Sequence, residues 1–283
     1  MVAGYAAKQL VELGLKPGQL AIVSADTSIP YERPPLSKGF LAGKETEETI
    51  RINSASFYRE HGINVELGRE VSSLDASRKR LLFKSGGEIA FEKLILATGA
   101  RPRKLNIPGA NLGNLFYLRS LEDSAAIRRS ADALKRAVVI GGGFIGMEVA
   151  AVLRQKGLEV TMVLNEDRIW KRFFSPPMSA FFEDYYSARG VRFVKNATVT
   201  ELRGHGAVSS AVLVDGRSVP CDMVVAGIGV QPATEMLASS GIEVNNGVIV
   251  DEFLKTNQRD VYAAGDVANY QDLLFGKRRR VEH

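Results

Sequence analysis

Ala137-Val138-Val139-Ile140-Gly141-Gly142-Gly143-Phe144-Ile145-Gly146 is the stretch on which the reading of this 283-residue chain turns. Its first four residues are a short β-branched run, the composition of a buried parallel strand. The next six complete G-x-G-x-x-G. Starting within them, Ile145, Val149, Val152 and Leu153 fall at the spacing of one helix face. Gly157 stands where such a helix stops in the left-handed conformation, and Val160-Thr161-Met162-Val163 begins another strand. A glycine triplet alone carries little weight. Set between strand and helix, it predicts a βαβ unit whose amides approach a pyrophosphate at the positive end of the helix. Gly141, Gly142, Gly143, Phe144, Ile145 and Gly146 are then expected to contact a dinucleotide. In such units an acid for the ribose closes the second strand about 20 residues after the fingerprint. Here that place is Leu164, and the first carboxylate is Glu166, which becomes the expected ribose ligand.

The start of the chain repeats the unit. Displaced by 143 residues, Met1 lies on Phe144, Leu10 on Leu153 and Gly14 on Gly157. After a short insertion at Leu15–Gly18, Leu20-Ala21-Ile22-Val23 matches the second strand and Asp26 falls on Glu166. A strand and glycine turn are therefore expected ahead of Met1. A second pair of echoes, Leu94 to Gly99 and Met223 to Gly229, consists of apolar strands ending in small residues, each followed by proline (Pro102, Pro232). Two copies of one architecture imply an α/β protein with two Rossmann-like three-layer dinucleotide-binding domains. One dinucleotide would be NADH or NADPH, the other a flavin nucleotide.

The bulk composition agrees. A 45% hydrophobic share supplies cores for two domains, and no apolar run is long enough for a membrane span. Met1 to Leu13 has no basic segment or cleavage site of a secretory leader. The single cysteine, Cys221, excludes a disulfide framework and fits a reducing, cytoplasmic setting. His61, His205 and His283 lack metal-ligand spacing, so no metal is expected. A net charge of +5 is modest and suggests no nucleic acid, although Lys277-Arg278-Arg279-Arg280 could attract an acidic partner.

The chain resembles the FAD-dependent pyridine-nucleotide reductases that lack a redox disulfide: ferredoxin, rubredoxin and putidaredoxin reductases, monodehydroascorbate reductases and apoptosis-inducing-factor-like proteins. The resemblance covers essentially all of it. It rests on Pro30-Tyr31-Glu32-Arg33-Pro34-Pro35-Leu36-Ser37-Lys38, Ala97-Thr98-Gly99, Tyr117-Leu118-Arg119, Gly141 to Glu148, Gly227-Ile228-Gly229, Val261 to Asp266, and Arg279-Arg280-Val281-Glu282-His283. It implies an FAD domain at 1–118, an NAD(P)H domain at 119–245 and a return to the FAD domain at 246–283. A C-terminal domain follows in that family. The resemblance also implies FAD contacts from Asp26 (adenosine ribose), Arg33, Lys38, Val71 (backbone to adenine), Ala97, Thr98, Gly99, Arg119, Gly265, Asp266 and Glu282. Gly227, Ile228 and Gly229 would serve the second nucleotide. A unit without its first strand and glycine turn is expected to hold FAD weakly and to turn over little.

In such proteins the cofactors carry the hydride chemistry and the protein positions them. Lys38 and Glu148 resemble the family pair near the reactive edge of the flavin, where a cation stabilises charge on the reduced ring. Glu148 is read here as a first-turn carboxylate favoured by the helix dipole. No C-x-x-C or C-x₄-C exists, which excludes dithiol reductase chemistry, and Gly39-Phe40-Leu41-Ala42-Gly43 lacks the single cysteine of the coenzyme A-disulfide reductase branch. Cys221 is expected to be a small core residue. The leading expectation is an NAD(P)H reductase delivering single electrons to a small acidic, ferredoxin-like protein. The alternatives are a monodehydroascorbate reductase and an apoptosis-inducing-factor-like redox sensor.

Overall fold

The computed structural model describes residues 1–282, so His283, the last residue of the ending motif, lies outside them. Helix α1 (Val2–Glu12) leads to β1 (Ala21–Val23), α2 (Ala55–Glu60) and β2 (Asn64–Glu66). A meander of β3 (Val71–Asp75), β4 (Arg80–Phe83) and β5 (Glu88–Ala90) precedes β6 (Leu94–Leu96) and β7 (Ala100–Pro102). There follow β8 (Leu115–Phe116), α3 (Leu121–Ala133), β9 (Arg136–Ile140), α4 (Phe144–Gln155), β10 (Glu159–Val163), α5 (Pro176–Ser187) and β11 (Val191–Val194). A second meander, β12 (Val199–His205), β13 (Ala207–Leu213) and β14 (Ser218–Pro220), ends at β15 (Met223–Ala226). The chain closes with β16 (Val230–Pro232), β17 (Val248–Val250), β18 (Val261–Ala263), β19 (Ala268–Asp272) and β20 (Lys277–Arg279).

Two compact units result. One comprises Met1–Glu32, Ile50–Arg101 and Val230 onward; the other comprises Arg33–Thr49 and Pro102–Gly229. These limits differ from breaks at 118 and 245, and the contacts give the reason. Within the second unit β8 pairs in parallel with β15, and Leu41 enters the same core as α4. Ser124 Oγ donates to Leu36 O at 2.7 Å and Arg128 Nη1 to Phe40 O at 3.2 Å, fastening the 33–49 loop to α3. Residues 230–245 go with the first unit, where Leu237 and Ile242 pack against Val248 and Val250.

The second unit has the expected architecture. Its five strands run in the order β11-β10-β9-β15-β8, every pairing parallel. Successive β9 residues alternate between two cores, as a strand with both faces covered must. Ala137 and Val139 join Met147, Val149 and Leu153 of α4. Val138 and Ile140 join Val199, Leu202, Val208 and Leu213 of the meander. Helices, parallel sheet and meander make three layers. One detail departs from the helical stripe: Ile145 is exposed, and the buried α4 residues are Gly146, Met147, Val149, Ala150, Val152 and Leu153. Ile145 belongs to the first turn, beyond the sheet edge that the rest of the helix covers.

The first unit carries the repeat in broken form. Among the described residues β1 pairs only with β2 and β6 only with β18, both in parallel. Under the repeat β1 corresponds to β10 and β6 to β15, so the counterpart of β9 would join them; no described strand occupies that place. The single parallel sheet expected here is therefore two parallel pairs. α1 accordingly buries only Gly4 and Ala7. The meander β3-β4-β5 packs Leu74 and Leu81 onto Leu96, Val261 and Ala263.

One ion cluster ties this unit's meander to β18. Asp260 accepts from Lys79 Nζ at 2.6 Å and from Lys93 Nζ at 3.1 Å. The hydrogen bonds from Lys79 and then Lys93 pull its carboxyl down to about 2. A carboxylate held below its unfolded value of roughly 3.9 stabilises the fold above that value and ceases to do so as pH falls through the folded one. Asp260→Asn should therefore lower the urea midpoint at neutral pH and match the wild type at about pH 2. Equal midpoints at neutral pH would show that the cluster contributes nothing.

Candidate functional site

The glycine turn between β9 and α4 is built by close backbone contacts. Gly141 has φ of 108°. A Cβ on Gly141 would lie 2.2 Å from the carbonyl oxygen of Gly227, and one on Gly146 would lie 2.3 Å from that of Gly141. Ile228 packs into the core under the turn, and Gly229 O accepts from Arg103 N at 2.9 Å. Gly143, the N-cap of α4, has open space where a Cβ would be. No side chain caps α4, and its first hydrogen bond runs from Met147 N to Gly143 O at 3.1 Å. The amides of Phe144, Ile145 and Gly146 thus precede the first intrahelical bond, at the positive end of the helix.

Leu164 explains the displaced acid. Its Cδ2 would stand 2.8 Å from a Cβ on Gly142, and the residue is fully buried. It is the floor of the turn, so a carboxylate cannot take that place. Glu166 lies two residues on, half-buried, with Arg172 Nε 4.0 Å away. Arg168, two residues after Glu166, turns to Asp167 at 3.3 Å.

Glu148 is not on the first turn of α4, which contains no acid. It sits one turn further along, and its charge is answered by side chains. Lys38 Nζ lies 2.7 Å from Oε1, and Ser37 Oγ donates to Oε2 at 2.5 Å. Both carboxylate oxygens are thereby held by consecutive residues of the 33–49 loop. Ser37 is buried, whereas Lys38 stays half exposed. The same loop places Arg33 Nη1 on the carbonyl of Arg119, and Arg119 N donates to Asp123 Oδ2 at 3.0 Å beside the Ser120–Asp123 capping box of α3. Arg33 and Arg119 are therefore neighbours.

In the first unit Asp26 lies three residues beyond β1. Its Oδ1 accepts from Ser28 N at 3.1 Å and its Oδ2 from the hydroxyl of buried Tyr31 at 2.6 Å. Val71 opens β3 opposite Phe83. Ala97 follows β6; Thr98 Oγ1 donates to Ala233 O at 2.8 Å, and Gly99 O accepts from Ala233 N at 3.0 Å. Gly265 begins a short 3-10 turn, and a Cβ there would meet Val2 Cγ2 at 2.7 Å. That contact brings buried Asp266 to the start of α1. Glu282 is exposed and pairs with Arg280 at 2.5 Å. The basic run is largely consumed internally: Arg278 donates to Val250 O and Asn269 O, Arg279 pairs with Asp272, and Arg280 Nη1 donates to Asp266 O.

Residues 2–283 match the family described as pyridine nucleotide-disulphide oxidoreductase. The chain belongs to this family. It is 38% identical to monodehydroascorbate reductase 4, peroxisomal, of Arabidopsis thaliana, over 100% of its own length and 62% of that protein's. It is also 38% identical to the rubredoxin-NAD(+) reductase of Pseudomonas putida, over 98% of the chain and 72% of the relative. The reductase of a covalent putidaredoxin reductase–putidaredoxin complex superposes with a TM-score of 0.93 at 33% identity, over 99% of this chain and 68% of that one. The chain thus spans about three-fifths to seven-tenths of the proteins it matches.

The family description names pyridine-nucleotide oxidoreductases, and the two dinucleotides expected from the sequence set what the residues present must fit. A dinucleotide at α4 needs a backbone cradle that a Cβ would fill and amides left open, which Gly141 to Gly146 provide. A flavin nucleotide in the first unit would need ribose and ribitol acceptors, the roles expected of Asp26, three residues after β1, and of Asp266, beside the start of α1. Cys221 is fully buried, and burial pushes its thiol up to about 11. No helix among the described residues is long and apolar enough to cross a membrane. Sequence reasoning missed Ser37 and Tyr31. Both lie inside the Pro30–Lys38 motif, the one signal by which they could have been found.

Proposed function

We propose that this chain is the dinucleotide-handling part of an NAD(P)H reductase that passes electrons singly to a small acidic iron–sulfur protein. The observation that carries the reading is the fixed Ser37–Lys38–Glu148 cluster, one helical turn from the open amides of α4 and without a dithiol anywhere in the chain. Flavin, when bound, supplies the hydride acceptor and the division of an electron pair into single electrons. The first unit takes FAD through Asp26, Val71, Ala97–Gly99, Gly265 and Asp266. The second takes the pyridine nucleotide through Gly141–Gly146 and Glu166, with Gly227–Gly229 lining the turn. Lys38 and Glu148 serve hydride transfer: the ammonium offsets charge arriving on the acceptor, and the carboxylate fixes the ammonium. The likeness to rubredoxin reductase and to the putidaredoxin complex supports the choice of acceptor. A reducing, cytoplasmic setting suits a lone buried thiol.

Identity with a monodehydroascorbate reductase over the whole chain favours a second reading, an organic radical as acceptor. Steady-state assays with NADH and either a ferredoxin-type protein or the ascorbate radical separate them. Reduction of the radical alone would displace the first reading, and failure with both would remove the two together.

Glu166 is the acid nearest the expected ribose, and Arg172 beside it is 85% exposed. A carboxylate accepts from two ribose hydroxyls but repels a 2′-phosphate. NADH should therefore bind more tightly than NADPH, by a modest factor because Arg172 offsets part of the repulsion. Calorimetric titration with both nucleotides checks this, and NADPH binding tenfold tighter would reverse it.

A further inference from the structure

Trp170, the only tryptophan in the chain, has a backbone φ of 50°, in the left-handed region that bulky residues rarely enter. It is 9% exposed, and its indole Nε1 has no hydrogen-bond partner among the described residues. Buried donors are almost always paired, and one left unpaired calls for an explanation. The indole is caged by Phe144, Phe174 and Phe182, with ring centroids at 5.4, 5.2 and 5.0 Å. Its backbone N–H donates to Gly142 O at 3.3 Å. One residue thus touches the glycine turn through its main chain and the first residue of α4 through its ring. Phe144 also meets Phe173 at 5.1 Å, and both stand exposed, at 47% and 64%.

We propose that Trp170 is a positioning residue of the dinucleotide turn, and that its indole changes surroundings when a nucleotide pyrophosphate occupies the start of α4. The inference rests on the reading of α4 as the pyridine-nucleotide helix. A pyrophosphate above Gly143 would come beside the Phe144 ring, which is 47% exposed and packs against both the indole and Phe173. Moving Phe144 opens the apolar cage. The unpaired N–H then gains access to an acceptor, either a nucleotide oxygen or water drawn in with it. The arrangement with Nε1 paired is favoured over the one without, so nucleotide binding and the placement of Trp170 support each other. The bond from Trp170 N to Gly142 O keeps the turn in register meanwhile.

The test uses the full chain with ADP-ribose, which carries the pyrophosphate and adenine but no redox-active ring. Calorimetry measures binding, and tryptophan emission, excited beyond adenine absorption, reports on Trp170 alone. The emission should shift or quench saturably with the calorimetric dissociation constant, and Trp170→Phe should bind about tenfold more weakly, the scale of one lost hydrogen bond to a charged group. ADP-ribose binding with unchanged emission would overturn the proposal, even if Trp170→Phe fails to fold. So would a folded Trp170→Phe variant binding as tightly as the wild type. No calorimetric binding would overturn the nucleotide reading of α4 and the proposal with it.

Discussion

Gly143→Ala should cost the chain its pyridine-nucleotide binding while barely moving its thermal stability, whereas Gly141→Ala should damage both. The two glycines lie two residues apart in one turn, yet their surroundings differ in kind. Gly143 has a φ of −78° and nothing within 4 Å of the place a methyl would take, so alanine fits the free protein. At an N-cap, alanine in place of glycine costs about 1 kcal/mol at most, roughly 2–4 °C in a chain of this size. The methyl would stand in the space over the open amides of α4, where a phosphate must come within hydrogen-bond reach. Affinity for NADH or ADP-ribose should fall by more than about a hundredfold, since several charge-assisted bonds lengthen together. Gly141 combines a φ of 108° with backbone atoms of Gly227 at 2.2 and 2.9 Å, and no flexible side chain can give way. Strain of about 3 kcal/mol or more follows, which should lower the melting temperature by roughly 6–12 °C or more. Calorimetry and thermal melts on both variants make the comparison. Unimpaired binding by Gly143→Ala would mean that nothing docks on that turn.

What the sequence could disclose followed from how local each signal is. The β9–α4–β10 unit was legible because its strand composition, glycine spacing and helix stop fall within 27 consecutive residues, Ala137 to Val163. Even there the helix start decided a detail: α4 begins at Phe144, which puts Glu148 one turn beyond the dipole-rich first turn and makes its partners side chains. Leu164 looked like an absent acid until its place under Gly142 was visible, since what that residue must do is set by packing across the turn. The 33–49 loop gave no sign that it belongs with residues 102–229. Its ties, Ser124 to Leu36 and Ser37 to Glu148, join positions 88 and 111 residues apart. Serine and tyrosine are ordinary loop residues, and only their partners reveal Ser37 and Tyr31 as supports for two carboxylates. The arginines near the end show the converse. A basic run in sequence reads as a charged patch, but three of its four members are turned to carbonyls and carboxylates of their own unit.

Glu148→Gln and Lys38→Met should each slow reduction of the flavin by NADH about a hundredfold or more while changing NADH affinity little. Lys38 is 53% exposed and Glu148 27%, so the pair itself adds little to folding stability, within the range of surface ion pairs. Its work is therefore expected in the reaction. A cation placed where negative charge develops lowers the barrier without tightening ground-state binding, so the loss should appear in the rate and spare the dissociation constant. Glu148 acts through Lys38: with Oε1 at 2.7 Å from Nζ and Oε2 fixed by Ser37, the ammonium has one preferred place. The double variant should then be scarcely slower than either single one, because removing the anchor and removing the cation abolish the same interaction. Ser37→Ala should fall between, leaving the ion pair but freeing the carboxylate to rotate; methionine at 38 keeps most of the aliphatic stem, so packing loss is not confounded with charge loss. Stopped-flow reduction of the FAD-loaded protein gives the rates, and calorimetry gives the affinities. Wild-type rates in both single variants would reduce the cluster to a structural brace. Strictly additive losses in the double variant would mean that Glu148 works independently of Lys38.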